Sequence, residues 1–429
     1  MVTILFDVTR LFMRASRTSP TGIDRVTQAY GRWLLSCPDI DTIPVCSLGG
    51  VITSLSSASF RRVVEDRPPE REAAADDWRR LVEALTAPAG GAPGHDGLAL
   101  RLTAARTSRE TRPARYLRFA LGLAANWRPR RHRPGAVYLN VSHFGLEQPR
   151  LLDRLSAKGV RTVAMIHDLI PILHPEYCSP SALGWHLRRV EALLEHAALV
   201  IANSTSTADE LTAYADGAGH RTPPICVAPL GLEASFHVRP EHGLGQRPYF
   251  VCVGTIEPRK NVILLLTLWR RLAERMGDAT PPLVVAGQRG WESEAIADHL
   301  DRSPPVRRFV HEINGLGDAQ LARLIAGGRA LLSPSFMEGF NLPIAEALSM
   351  GTPVIASDIA VHRELAPGAR LIDPLDGPAW LEAIEDAIRG GPDWNSSAAR
   401  VSPPAGWPEH FAIVARALGL QELRGGGLA

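Results

Sequence analysis

Short runs of consecutive apolar residues, each ending in a polar exit, recur along the chain, and most are followed by a stretch with helical spacing. Val2 to Val8 opens the series, and a helical run from Ile23 to Leu35 follows it. AVYLNVSH from Ala136, RTVAMIHDL from Arg161, LVIANSTSTADEL from Leu199 and PICVAPLG from Pro224 continue the rhythm. After an aperiodic stretch from Leu232 to Pro248 it resumes at Tyr249 to Val253, PLVVAGQRG from Pro282, RFVHEINGLGDAQLARLIAGGRALLSPS from Arg308 and ALLS from Ala330. Continuous apolar runs alternating with helices describe parallel strands buried on both faces, and so an α/β fold.

The chain from Ala330 to Asp358 reads as one complete unit. Pro334 cannot donate to a ladder, so the strand ends there. Pro343 suits the first turn of a helix whose apolar side is Ile344, Ala345, Ala347 and Leu348, and Gly351 with Pro353 stops it before the next strand. The connecting loop then lies at the carboxyl edge of the sheet, where open α/β folds take ligands and first-turn amides face an anion. Glu338 stands in that loop and Glu346 about one turn into the helix. Composition alone favours reading both as solvated surface carboxylates; their position allows both to face one ligand.

A length of 429 residues predicts two domains, each able to bury a core. With 45% hydrophobic and 21% charged residues and a formal charge of +2, the chain has ordinary globular composition and no charge signature of a nucleic-acid binder. The five cysteines are widely spaced without a C-x2-C pair, which points to a reducing compartment. MVTILFDVTR meets Asp7 and Arg10 too early for a signal peptide, and there is no uninterrupted run of about 20 apolar residues. The expectation is a cytoplasmic protein, peripheral on the inner membrane face at most. No G-x-G-x-x-G follows the first strand, which weighs against a nicotinamide or flavin site, and neither G-x-S-x-G nor H-E-x-x-H is present.

Residues 60–134 interrupt the rhythm and read as an insertion or flap. Ala87 to Gly97 is rich in Pro and Gly, and ten arginines from Arg101 to Arg133 face a single acid, Glu110. Tyr116, Leu117, Phe119, Leu121, Leu123 and Trp127 interleave with that charge. Either a basic amphipathic segment on an anionic membrane or a solvated arginine-rich loop fits this composition.

Glu338-Gly339-Phe340-Asn341-Leu342-Pro343-Ile344-Ala345-Glu346 resembles the E-x7-E motif of family 4 retaining glycosyltransferases, with Ser335 before it and GTPVIASD after it in similar places. MIHDLIPILHPEY resembles that family's H-D strand end, VGTIEPRKN the opening loop of its second domain, and TGIDRV its glycine-containing first loop. The resemblance spans nearly the whole chain apart from the insertion and implies the GT-B architecture, two Rossmann-like α/β domains facing across a cleft. The implied arrangement is an acceptor domain over 1–235, a nucleotide-sugar domain over 236–407, and a C-terminal helix and tail over 408–429 crossing back to the first domain.

By the same resemblance, Glu338 meets the donor hexose near the reacting carbon, Glu346 holds the ribose hydroxyls, and Gly339, Phe340, Asn341 and Leu342 offer amides to sugar and phosphate. The implied catalytic pair is His167 with Glu338. Arg259 and Lys260, after Gly254, would neutralise the diphosphate, Gly22 would touch the diphosphate or the acceptor, and the loop near Asn314 to Leu316 would seat the base. Ser204 reads as a helix cap. Where the family usually has Gly, this chain has Asn341, a residue that tolerates left-handed backbone.

The implied reaction is transfer of a hexosyl unit, mannosyl from GDP-mannose by likeness to bacterial mannosyltransferases, to a glycan or lipid-linked acceptor in polysaccharide or lipopolysaccharide assembly. It proceeds with retention and without a metal or other cofactor, reacting on one face of the sugar, so that Glu338 need not be a nucleophile. A nucleotide-sugar epimerase, or a catalytically silent sugar- or lipid-binding protein, would share the same cleft.

Overall fold

The computed structural model describes residues 2–14, 21–65, 72–86, 101–102, 134–237, 244, 247–390 and 405–420. Two seven-stranded sheets organise them. The first contains β1 (Val2–Asp7), β2 (Ile40–Leu48), β3 (Val51–Ser54), β5 (Val137–Asn140), β6 (Arg161–Ile166), β7 (Ala197–Ala202) and β8 (Ile225–Val227) in the order β3-β2-β1-β5-β6-β7-β8. The second contains β4 (Arg101–Leu102), β9 (Phe250–Val253), β10 (Leu283–Ala286), β11 (Val310–Ile313), β12 (Ala330–Ser333), β13 (Val354–Ser357) and β14 (Arg370–Ile372) in the order β14-β13-β12-β9-β10-β11-β4. Every pairing is parallel except β2 with β3. The centres of both sheets are fully buried, as at Ile4, Leu5 and Phe6 and at Leu283 and Val284, which is why they read as unbroken apolar runs.

The domains share a core. One apolar cluster runs from Phe6 and Tyr30 in the first sheet layer through Phe236 to Val251 and Ile344 in the second. The last described helix, Trp407–Ala417, packs on the first domain: Phe411 stacks on Trp33 with centroids 4.7 Å apart, and Tyr30 Oη lies 2.8 Å from His410 Nε2. His410 Nδ1 lies 2.9 Å from the Pro229 carbonyl, which fixes Nδ1 as the donor and Nε2 as the acceptor of the Tyr30 hydroxyl.

The segment read as an insertion or flap begins within folded structure. Phe60 and Val64 on the Ser57–Glu65 helix and Leu81 and Leu85 on the Glu72–Thr86 helix are buried in the shared cluster, so this part is no flap. Their spacing of four puts each pair on one helix face, a signal masked by the Pro, Gly and Arg around it. Farther on, β4 joins the edge of the second sheet beside β11. The remaining arginine-rich stretch, with Tyr116, Leu117, Phe119, Leu121, Leu123 and Trp127, lies outside the described residues. No helix among the described residues is long and apolar enough to cross a membrane.

Candidate active site

The strand-loop-helix unit at Ala330 forms as its sequence dictates. β12 ends before Pro334, the helix runs Leu342–Ser349 with Pro343 in its first turn, and Gly351 turns the chain back at a φ of 71°. Asn341 adopts left-handed backbone at φ 76°. Its side-chain amide donates to Ser333 Oγ at 2.8 Å and to His362 Nε2 at 2.9 Å, the His362 tautomer being set by its Nδ1–H bonding the Ser357 carbonyl. With Asn341 so engaged, no side chain caps the first-turn amides of the helix.

Glu338 lies half-buried at the mouth of this loop, its side chain 7% exposed. Arg259 Nη1 donates to one carboxylate oxygen at 2.7 Å and Lys260 Nζ to the other at 2.5 Å. Arg259 is itself fixed, donating to the Met337 carbonyl at 2.7 Å and to Glu257 at 2.8 Å. Burial pushes the Glu338 carboxyl up, but the charges of Arg259 and Lys260 outweigh it and hold the group ionised well below the usual carboxylate range. Gly254 follows β9 at φ 144°, and a Cβ there would lie 3.0 Å from Lys260 Cε, so the glycine lets the lysine pass close to the strand end.

The first domain supplies the facing wall. His167, one residue past β6, is buried, and its Nε2 donates to the Val141 carbonyl at 2.8 Å, which leaves Nδ1 as the acceptor of the neutral ring. Burial lowers its pKa to about 4. His143, with φ 64°, accepts the His167 backbone N–H at 3.1 Å through Nε2, and its ring stands 4.7 Å from that of His167. His186 lies 5.7 Å from His143 and donates through Nε2 to the Asp168 carbonyl. His143 and His186 had no signal in the sequence reading: each becomes a neighbour of His167 only through tertiary packing.

The two walls touch. Ser204 Oγ caps the Thr205–Gly217 helix and also donates to the Gly339 carbonyl at 2.9 Å, while Asn203 Nδ2 donates to the His167 carbonyl at 3.0 Å. Glu364 of the second domain accepts the backbone N–H groups of Thr205 and Ser206 at 2.8 and 3.1 Å. Gly22 begins the Gly22–Ser36 helix, where a Cβ would lie 3.5 Å from Leu342. Glu346 is buried on the inner side of its helix and is paired at 2.6 Å with Arg25, a residue the sequence reading did not single out. Phe340 is buried, and Tyr177 stacks on Phe336 across the domain boundary with centroids 5.2 Å apart. His167, Arg259, Lys260, Glu338, Gly339 and Glu346 thus meet at one interdomain seam. Among the described residues no three His, Cys, Asp or Glu side chains cluster as a metal site.

Residues 247–389, which hold all of the second-domain residues above, match the sequence pattern of the family described as glycosyl transferases group 1. The second domain belongs to glycosyl transferases group 1. The serotype-specific mannosyltransferase WbdA of Escherichia coli is similar to this chain, 28% identical over 244 residues, a match covering 53% of this chain and 29% of WbdA. The O-antigen chain mannosyltransferase B of Escherichia coli is 29% identical over 239 residues, covering 53% of this chain and 62% of that protein. The chain therefore spans less than two thirds of the length of these relatives. The crystal structure of Anabaena HepE in complex with UDP superposes with a TM-score of 0.59 at 14% identity, covering 98% of this chain and 100% of that one. The architecture of the group 1 domain and its partner is GT-B.

Proposed function

We propose that this chain transfers a hexosyl unit from a nucleotide sugar to a hydroxyl of a glycan or lipid-linked acceptor, with retention at the anomeric carbon. The observation that supports this most is Glu338, held between Arg259 and Lys260 at 2.7 and 2.5 Å on a loop that abuts His167. Breaking a glycosyl phosphate bond builds positive charge on the sugar and negative charge on the departing diphosphate. A carboxylate kept ionised beside two cations answers both demands. Lys260 uses one of its three N–H donors on Glu338, so the ammonium retains donors for phosphate oxygens.

In this reading Arg259, Lys260 and the amides from Gly339 to Leu342 receive the diphosphate, and no metal or cofactor is required for that role. Glu346 receives the ribose, and Gly22 and Gly254 line the approach. His167, neutral with Nδ1 as acceptor, receives a sugar hydroxyl, and Glu338 stabilises the charge that develops at the ring. Mannose is the proposed sugar, because the relatives named above are mannosyltransferases, and the acceptor is of O-antigen type. UDP bound to HepE favours a uridine donor as the second reading.

The purified chain is expected to gain thermal stability by mass action from the nucleotide sugar it uses, GDP-mannose before UDP-glucose. Stabilisation by neither, nor by any other common nucleotide sugar, contradicts the reading. The proposal extends to an anionic membrane face meeting the arginine-rich stretch from Arg101 to Arg133. At about 1 kcal/mol per basic residue near such a surface, the intact chain should sediment with anionic vesicles at low salt and a chain lacking 103–133 should not.

A further inference from the structure

Arg25 lies on the Gly22–Ser36 helix of the first domain, and its guanidinium crosses into the second. Nη1 donates to Glu346 Oε1 at 2.6 Å and Nη2 to Asp318 Oδ1 at 2.5 Å. The ring of Phe236, on the segment joining the domains, lies 5.6 Å from the guanidinium carbon. Asp318 opens the Asp318–Gly327 helix, directly after the loop at Asn314 to Leu316, and Glu346 is on the neighbouring Leu342–Ser349 helix. One planar cation thus ties together two second-domain helices, Asp318–Gly327 and Leu342–Ser349.

The Glu346 side chain is 2% exposed and Arg25 16%, so the pair is shielded from water. Yet Glu346 Oε2 is buried without a hydrogen-bond partner among the described residues. A buried ion pair is weak evidence for a stabilising role, since apolar residues of similar volume often do as well, and a buried acceptor left unmatched calls for an explanation. A vicinal diol supplies donors of the kind that oxygen lacks.

We infer that Arg25 is a positioning residue for the nucleotide: it holds Glu346 by Oε1 so that Oε2 is presented to the ribose hydroxyls, and it makes that arrangement depend on closure of the two domains. The inference rests on the reading of Glu346 as the ribose ligand. Burial pushes the Glu346 carboxyl up and Arg25 works against it, so the arginine also favours the acceptor form that a diol needs. Arg25 makes none of its bonds to Arg259, Lys260 or Glu338, which separates its effect from that of the diphosphate seat. A lysine would not replace it: a point charge lacks the fixed fork that spans Glu346 and Asp318.

The test is the affinity of UDP, GDP and inorganic pyrophosphate, by titration calorimetry, for the intact chain and for Arg25→Met, Arg25→Lys and Asp318→Asn, with melting temperature as the check on folding. The wild type should bind a nucleoside diphosphate. Arg25→Met should weaken that binding by about tenfold or more and leave pyrophosphate within about twofold, with Arg25→Lys and Asp318→Asn between. A folded Arg25→Met that binds the nucleotide as wild type does, or that loses nucleotide and pyrophosphate equally, overturns the inference. If Arg25→Met does not fold, Asp318→Asn decides by the same comparison. A wild type that binds neither UDP nor GDP overturns the underlying reading of the site instead.

Discussion

Gly339 rests on the backbone carbonyl of His167: a Cβ built on the glycine would lie 1.9 Å from that oxygen and 2.9 Å from Asp168 Cβ. No real side chain tolerates such a distance, so the glycine permits the second-domain loop to meet the end of β6 backbone to backbone. Gly339→Ala should keep each domain folded and hold the seam open. Since a misplacement of about 1 Å at reacting groups costs on the order of a hundredfold in rate, turnover should fall by about that factor. A melting temperature near that of wild type with turnover intact would show that the contact is dispensable.

Glu338→Ala removes the counter-charge from Arg259 and Lys260, whose side chains are 17% and 14% exposed. Losing the carboxylate should cost roughly 3 kcal/mol of transition-state stabilisation, about a hundredfold in rate. The freed cations should meanwhile hold the nucleoside diphosphate at least as tightly as wild type does, because Glu338 no longer competes for them. Calorimetry with the diphosphate checks this; weaker binding by the variant would place the phosphates elsewhere.

Asn341 combines left-handed backbone with two buried side-chain hydrogen bonds. Asn341→Ala loses both bonds and strains the backbone, for an expected cost of about 2–3 kcal/mol. Asn341→Gly relieves the strain but not the lost bonds, so it should fall between wild type and Asn341→Ala in urea unfolding. Equal stability of the two variants would mean that the side-chain bonds alone matter.

Much of this was legible because local chemistry and tertiary placement agreed. The run at Ala330, with Pro334 and Gly351 as stops, fixed a strand, loop and helix that the structure repeats at Ala330–Ser333 and Leu342–Ser349. His167 was singled out by the likeness of MIHDLIPILHPEY to the family's H-D strand end, and it stands one residue past β6, where a parallel strand reaches the ligand edge of its sheet. β2 was not seen, since Asp41, Thr42 and Pro44 break its apolar pattern; it pairs through its register with β1, and Pro44 still accepts the Leu55 N–H. Arg25 was out of reach for another reason: no periodicity links it to a partner 321 positions away. The pairing exists only once two independently formed helices face each other across the seam.

Acid should weaken the fold. Burial lowers His167 and His410 each from 6.5 to about 4. The unfolded chain therefore takes up protons below pH 6.5 that the folded chain refuses until about pH 4, and stability falls across that window. By pH 5 each histidine should cost about 2 kcal/mol. Glu338 acts in the same sense but at lower pH: its pKa is depressed, so its contribution is present above the ordinary value of 4.5 and is lost on further acidification. Asp7 and Glu210, raised by burial to about 6 and about 7, work against this over the same window, so the histidine share is read from His410→Gln, whose urea midpoint should drop less between pH 7 and pH 5 than that of wild type; an equal drop would contradict a buried neutral His410.

The central claim, sugar transfer at the seam of Glu338 and His167, is tested most directly by incubating the chain with carbon-13-labelled GDP-mannose and a mannose oligosaccharide of O-antigen type, with the other common nucleotide sugars in parallel. The product is read by NMR for the one-bond C1–H1 coupling of the new linkage. The account predicts a new glycosidic bond with the α configuration of the donor, and its loss in Glu338→Ala. A β linkage, an undiminished rate in Glu338→Ala, or no transfer from any donor would contradict it.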